Sequence, residues 1–224
     1  MIKLCVSGSK GKMGLRIAAL AKEDNEFELT GQFDIGEEPA SLIEKCDCLI
    51  EFTSPEATIE HLAICEKYKK AMVIGTTGLS DAQKHKIGEA SKTAPIVFSP
   101  NMSVAVNLLF KIAADCAKTL GEEYNVEILE AHHVNKVDAP SGTAKELGRV
   151  IKEARGGIDV PIESIREDEI VGEHTVTFDS PFDLLEITHS AKTRDIFAKG
   201  ALQAAKFVVK KDKGLFTMKD VLSI

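Results

Sequence analysis

One seven-residue segment near the amino terminus, Gly8-Ser9-Lys10-Gly11-Lys12-Met13-Gly14, constrains the fold more than any other feature. It follows directly on a β-rich run at residues 2–7 and opens a stretch of helical character at 14–22. Each glycine answers a steric demand. Without a Cβ, Gly8 lets the chain turn tightly out of a strand, Gly11 lets a phosphate approach the backbone, and Gly14 lets the helix lie close to the strand. The helix start then offers N–H groups and partial positive charge to a pyrophosphate. The spacing is GxxGxxG, not strict GxGxxG, so an ordinary glycine-rich βα turn competes with the dinucleotide reading and context must decide. The context agrees: Asp34 closes the second β-rich run, where a ribose-binding carboxylate belongs.

The first hundred residues continue that rhythm. Further β-rich runs lie at 28–33, 48–52, 72–75 and 96–99. Ser54 and Pro55 start a helix over 55–69, as N-cap and first helical residue. Ser80-x-x-Gln83 is a capping box opening a helix over 80–92. Strands alternating with helices imply βαβ units and a parallel sheet. Beyond Asn101 the pattern changes. A long helix is expected over 104–120, buried on most sides, with Asn107, Lys111, Asp115 and Lys118 as its polar stripe. A strand at 125–131 and a helix at 141–154 precede three β-rich runs at 162–166, 174–179 and 184–190, the last two forming a hairpin. A final helix over 196–209 places Phe197, Ala201, Ala204, Phe207 and Val208 on one face that needs a partner in the first domain. The fold class expected is α/β: a Rossmann-like parallel sheet domain (1–101 plus 196–224) and a second α+β domain for substrate and oligomerisation (102–195).

Composition narrows the function. With 28 Lys+Arg against 35 Asp+Glu the net charge is -7, which argues against a nucleic-acid binder. No apolar run is long enough to span a membrane, and the amino terminus lacks the small-residue cleavage site of a secretory signal. Five cysteines without framework spacing fit reduced thiols in a cytosol. Cys46 and Cys48 read as core residues, and Cys116 as buried and inert in its helix.

The densest chemistry lies in Glu130-Ala131-His132-His133-Val134-Asn135-Lys136-Val137-Asp138-Ala139-Pro140-Ser141-Gly142-Thr143. Three candidate proton donors, His132, His133 and Lys136, stand within five residues, and a helix start follows at once. A small acidic substrate would find Lys136, an imidazole and the helix N-terminus as partners, leaving the other imidazole for general-acid work near neutral pH. The histidine pair also has a plain reading as a structural strand end. A metal is not expected: there is no HExxH and no CxxC, and the nearby carboxylates show no ligand spacing.

Taken together these residues resemble the dihydrodipicolinate reductase (4-hydroxy-tetrahydrodipicolinate reductase) family of lysine biosynthesis. The likeness is carried by Gly8–Gly14, Glu51-Phe52-Thr53, Gly75-Thr76-Thr77-Gly78 and Ser99-Pro100-Asn101-Met102-Ser103. It continues through the His132–Thr143 run, Val171-Gly172-Glu173-His174, Leu185-Glu186-Ile187-Thr188-His189 and Gly214-Leu215-Phe216. The resemblance implies hydride donation from a reduced nicotinamide to a cyclic unsaturated dicarboxylate, usually by a cytoplasmic homotetramer. It implies proton transfer by His132 and Lys136, and substrate-carboxylate contacts from His133, Gly142 and Thr143. It implies cofactor contacts from Gly8, Ser9, Lys10, Gly11, Lys12, Met13, Asp34, Gly75, Thr76, Thr77, Ser99, Pro100, Asn101 and Met102. Closure about 99–103 and the Asp195 region is expected. Asp34, followed by Ile35 and not arginine, favours NADH over NADPH, with Lys10 and Lys12 partly offsetting its repulsion of a 2′-phosphate.

Three departures stand out. Val134 and Asn135 replace the basic residues common in relatives, the stretch between Asp34 and Cys48 is short, and the whole chain is short. The rival readings are another small-acid dehydrogenase and a nucleotide-sensing protein without catalysis. No cysteine sits in a loop suited to a semialdehyde dehydrogenase's nucleophile, and a sensor would not need His132 and Lys136.

Overall fold

A computed structural model describes all 224 residues, Met1–Ile224. The chain divides into two compact units, Met1–Val104 with Asp195–Ile224, and Ala105–Arg194.

The first unit alternates strands and helices: β1 (Ile2–Ser7), α1 (Lys12–Glu23), β2 (Phe27–Phe33), α2 (Ala40–Lys45), β3 (Cys48–Glu51), α3 (Pro55–Tyr68), β4 (Ala71–Ile74), α4 (Asp81–Ala90) and β5 (Pro95–Phe98). After the second unit the chain returns as α7 (Asp195–Val208), β10 (Gly214–Phe216) and α8 (Met218–Leu222). The six strands form a parallel sheet in the order β10-β5-β4-β3-β1-β2. Strand alternation explains its two cores. Leu4 and Val6 of β1, Ile50 of β3 and Val73 of β4 face α1 and α7, meeting Ile17, Ala21, Ala201 and Ala205. Their neighbours Cys5, Leu49, Met72 and Ile74 face the other way, onto Ile43 of α2, Leu62 and Cys65 of α3 and Ile87 of α4. A sheet covered on both faces reads as continuous apolar runs, which is how β3 and β4 read. The alanine-rich face of α7 lets it lie against this sheet, and Asp195 at its start forms a bidentate pair with Arg16 of α1 at 2.6 Å. The caps work as the sequence implies: the Ser54 hydroxyl accepts from Ala57 N, and Ser80 and Gln83 close a capping box. The shortened stretch after Asp34 keeps a helix of only six residues, α2. Neither α2 nor the edge strand β10 carries enough periodicity to be read from sequence.

The second unit contains α5 (Val104–Leu120), β6 (Asn125–His132), α6 (Gly142–Ala154), β7 (Ile162–Arg166), β8 (Glu173–Asp179) and β9 (Leu184–Ser190). Its sheet runs β7-β6-β8-β9, with β6 and β7 parallel and the other pairs antiparallel. Val126, Ile128, Val176 and Phe178 turn one face onto Phe110, Ala113, Leu147 and Ile151 of α5 and α6. Two expectations are corrected here. Asn107 is buried, and Val104, Leu108 and Ile112 are exposed beside Asp115 and Lys118, so α5 is open to solvent along more than its polar stripe and is not buried on most sides. Cys116 is partly exposed, not buried.

Candidate active site

In the first unit the carboxyl ends of the parallel strands all present loops on one edge. Strand order reverses between β2-β1 and β3-β4, the switch point at which such sheets open a crevice. A cavity of about 590 Å³ is lined there by Ser7, Gly8, Gly11, Asp34, Thr53 and His61, among others. Gly8 adopts φ +67°, and a Cβ on Gly14 would stand 2.1 Å from the Gly8 carbonyl oxygen. The loop therefore exists only with glycine at both places. Gly11 is the N-cap of α1, and its side chain supplies nothing to the helix start. That leaves the α1 terminus to an anion, and the cradle fits a pyrophosphate.

Asp34 sits just past β2. Its Oδ2 accepts from Lys10 N and its Oδ1 from Ile35 N, both at 2.8 Å. These backbone bonds, that from Ile35 foremost, hold its carboxyl below the usual range. Glu37 adds a second carboxylate. It accepts from the Lys10 ammonium at 2.8 Å and from Asp34 N at 2.9 Å. Lys10, expected to offset Asp34, is thus already paired.

Other expected cofactor residues divide by what their side chains do. Thr76 is buried and its hydroxyl bonds Thr58 and Thr53 N, so it braces the loop. Gly75 N donates to the Glu51 carbonyl at 3.0 Å. Ser99 donates to the Asn101 carbonyl at 2.8 Å, Asn101 Oδ1 accepts from Ser103 N, and Met102 is buried in the core. Ser9, Lys12 and Thr77 belong to the same edge but do not line the cavity. Sequence reasoning did not single out His61, which lies 2.7 Å from buried Glu51 and edge-on to Phe33. Its signal was there: it falls nearly two turns into α3, behind the Glu51-Phe52-Thr53 motif.

In the second unit the covered face of the sheet changes character along its length. Where Val126, Ile128, Val176 and Phe178 end, Glu130, His132, His174 and Arg166 begin. Glu130 is fully buried. Its Oε2 meets Nδ1 of His132, and its Oε1 accepts from Arg166 Nη2 at 2.8 Å and from Ser141 N at 3.3 Å. Burial works to raise the Glu130 pKa, but Arg166, the Ser164 hydroxyl and His132 overcome it and hold it down to about 2. Burial also lowers the His132 pKa, against the opposing pull of Glu130. His174 packs edge-on to His132 at 5.1 Å and bonds the Ser141 hydroxyl at 3.0 Å; burial takes its pKa down to about 4. Ser141 caps α6 by accepting from Ala144 N at 3.1 Å, so Gly142 and Thr143 form the helix's first turn beside this cluster. Lys136 rests on Asp138 at 2.8 Å, and Arg166 also donates to the Asp138 carbonyl at 2.6 Å. His133 donates its backbone N–H to Ile170 O, and its buried Nδ1 has no partner.

The structure thus gathers His132, Lys136, Gly142 and Thr143 at one end of the unit. It also brings Glu130, His132 and His174 within 4.8 Å of one another. The expectation that no carboxylate shows ligand spacing is corrected, because spacing along the chain ignores strand register. The Arg166 guanidinium on Glu130 nevertheless makes the group a poor host for a cation.

Comparison with known proteins agrees with this geometry. A family profile described as dihydrodipicolinate reductase, N-terminus, matches residues 2–102, and one described as its C-terminus matches 105–222. The chain belongs to the dihydrodipicolinate reductase family. A curated relative from Geotalea uraniireducens, named 4-hydroxy-tetrahydrodipicolinate reductase, is 38% identical, with all of both chains covered. One of the same name from Hahella chejuensis is 49% identical over 83% of this chain and 76% of its own. Among solved structures, dipicolinate-bound dihydrodipicolinate reductase from Paenisporosarcina sp. superposes with a TM-score of 0.84 at 25% identity, covering 97% of each chain. The family is a dinucleotide-dependent reductase family, so NAD(P)H is its cofactor class.

Proposed function

We propose that the protein is a 4-hydroxy-tetrahydrodipicolinate reductase acting in the diaminopimelate route to lysine. The observation that carries this reading is the meeting of His132, Lys136 and the start of α6 at the polar end of the second sheet, in a chain matched by the family from residue 2 to 222. The first unit (1–104 plus 195–224, against the expected 1–101 plus 196–224) serves as dinucleotide domain, and the second (105–194, against 102–195) as substrate and assembly domain. A reduced nicotinamide supplies the hydride.

The chain's own residues do the rest. Gly8 to Met13 and the α1 start hold the pyrophosphate, with Asp34 at the ribose, and the loops at 75–77 and 99–102 complete the cradle. Gly142 and Thr143 at the positive end of α6 take one substrate carboxylate, with His133 and the Lys136 ammonium alongside. Hydride addition leaves an electron-rich, enamine-like product that needs a proton. Nε2 of His132 and the ammonium of Lys136 are the donors. NADH is the preferred cofactor, because Asp34 and Glu37 together repel a 2′-phosphate and Glu37 engages Lys10.

Exposed Leu129, Leu184 and Leu185 on the second sheet support homotetramer assembly. A cytoplasmic location goes with the biosynthetic role proposed here; no helix is long and apolar enough to cross a membrane.

The test is loss of NADH absorbance when purified protein meets aspartate semialdehyde, pyruvate and a condensing enzyme. Turnover with NADH above that with NADPH is expected. No oxidation of either cofactor would overturn the reading.

A further inference from the structure

We infer that Glu130 is a positioning residue serving two parts of the site at once: it sets the tautomer of His132, and it seats the start of α6. The inference rests on the reductase reading for its kinetic readout only.

The argument begins with strand alternation. Glu130 and His132 are two apart on β6, so both side chains leave the same face. Glu130 has no access to solvent, and a buried carboxylate must be fully paired. Its two oxygens are used differently. Oε1 faces two donors, Arg166 Nη2 at 2.8 Å and the backbone N–H of Ser141 at 3.3 Å. Oε2 faces Nδ1 of His132. A carboxylate held ionised by arginine can only accept, so the imidazole must place its proton on Nδ1. That leaves Nε2 as the proton-exchanging nitrogen: a lone pair when the ring is neutral, an acid when it is charged. Space is kept at that nitrogen, since a Cβ on Gly172 would stand 2.9 Å from Nε2. The same Oε1 anchors Ser141, whose hydroxyl caps α6 and is held from behind by His174. One carboxylate therefore ties the proton donor to the helix end proposed to hold the substrate carboxylate.

The charged and titratable groups facing this pair are Arg166 from β7, His174 from β8, and Lys136 and Asp138 from the loop after β6. His189 on β9 lies next across the sheet from His174. None offers a second acceptor to His132 Nδ1.

The decisive variant is Glu130→Gln. Two donors at Oε1 demand the amide oxygen there, so the amide NH2 must point at Nδ1 and donate to it. The imidazole is then forced to carry its proton on Nε2. Nitrogen-15 spectra of histidine-labelled full-length protein read this without turnover. In the parent, neutral His132 is expected as the Nδ1–H form; in the variant, as the Nε2–H form. Kinetically, kcat is expected to fall about a hundredfold or more. The pH profile should lose the His132 limb, and NADH affinity by fluorescence should stay within about twofold. A parent protein showing the Nε2–H form, or a variant keeping both the parent tautomer and the parent pH profile, overturns the inference. The parent spectrum decides the matter even if the variant does not fold. If the parent folds with the expected tautomer yet oxidises no cofactor, the reductase reading fails and the role of Glu130 in the structure stands.

Discussion

At the scale of single residues, the site depends on small differences in reach. Lys136→Ala removes an ammonium proposed to face the substrate, so kcat/KM is expected to fall at least a hundredfold, roughly 3 kcal/mol of transition-state stabilisation. NADH affinity, set in the first unit, should not change; steady-state kinetics beside cofactor fluorescence checks both. Gly172→Ala places a methyl 2.9 Å from His132 Nε2, and the ring must give way. Overpacking of this kind costs about 1–3 kcal/mol, so a tenfold or greater loss in kcat is expected, with unaltered cofactor binding. Glu37→Ala works in the opposite sense. It frees Lys10 for a 2′-phosphate, but the Lys10–Glu37 pair is exposed and screened by solvent, so breaking it changes little. The ratio of NADPH to NADH kcat/KM should therefore rise by a factor of only about two to five.

Elements show what a sequence discloses and what it withholds. The starts of α3 and α4 were legible because capping is local: Ser54, Pro55, Ser80 and Gln83 lie within one turn of what they cap. Gly8 and Gly14 were legible for the same reason. The Glu130–Arg166 pair was not, since it depends on β6 lying parallel beside β7, thirty-odd residues along the chain. His174 and His132 were each visible in a motif, yet nothing in the spacing announces that their rings touch. The solvent side of α5 was misread because apolar content was taken for burial, while Leu108 and Ile112 stay exposed and Asn107 is covered. The seat of α1 gives a sharp test. Gly14→Ala would drive a methyl into the Gly8 carbonyl at 2.1 Å, so helix and loop must separate. Cofactor affinity is expected to fall at least tenfold by fluorescence titration, whereas the second unit should keep its fold.

For the molecule as a whole, the buried polar end of the second sheet makes stability depend on pH in a definable window. Burial lowers His174 to about 4 from an ordinary 6.5. As pH falls the unfolded chain takes up that proton first, so the contribution is complete above pH 6.5 and drains away down to pH 4. At about 1.4 kcal/mol per unit, the loss is roughly 3 kcal/mol. Glu130, held at about 2 against 4.5, adds a second loss that begins only below pH 4.5. Denaturant midpoints measured from pH 7 to 4.5 should fall in the parent and much less steeply in His174→Asn. Parallel curves would remove His174 as the cause.

The change from apolar to polar along a single sheet face has a further consequence. Glu130 and His132 stand on a strand paired on both sides, so rotating either out of place would require β6 to slip against β7 and β8 together, turning Val126 and Ile128 away from their helices. The proposed proton-transfer geometry is therefore as rigid as the interior it grows out of, and adaptation to a different ring acid would have to come from the loop carrying Val134 to Asp138, leaving the strand untouched.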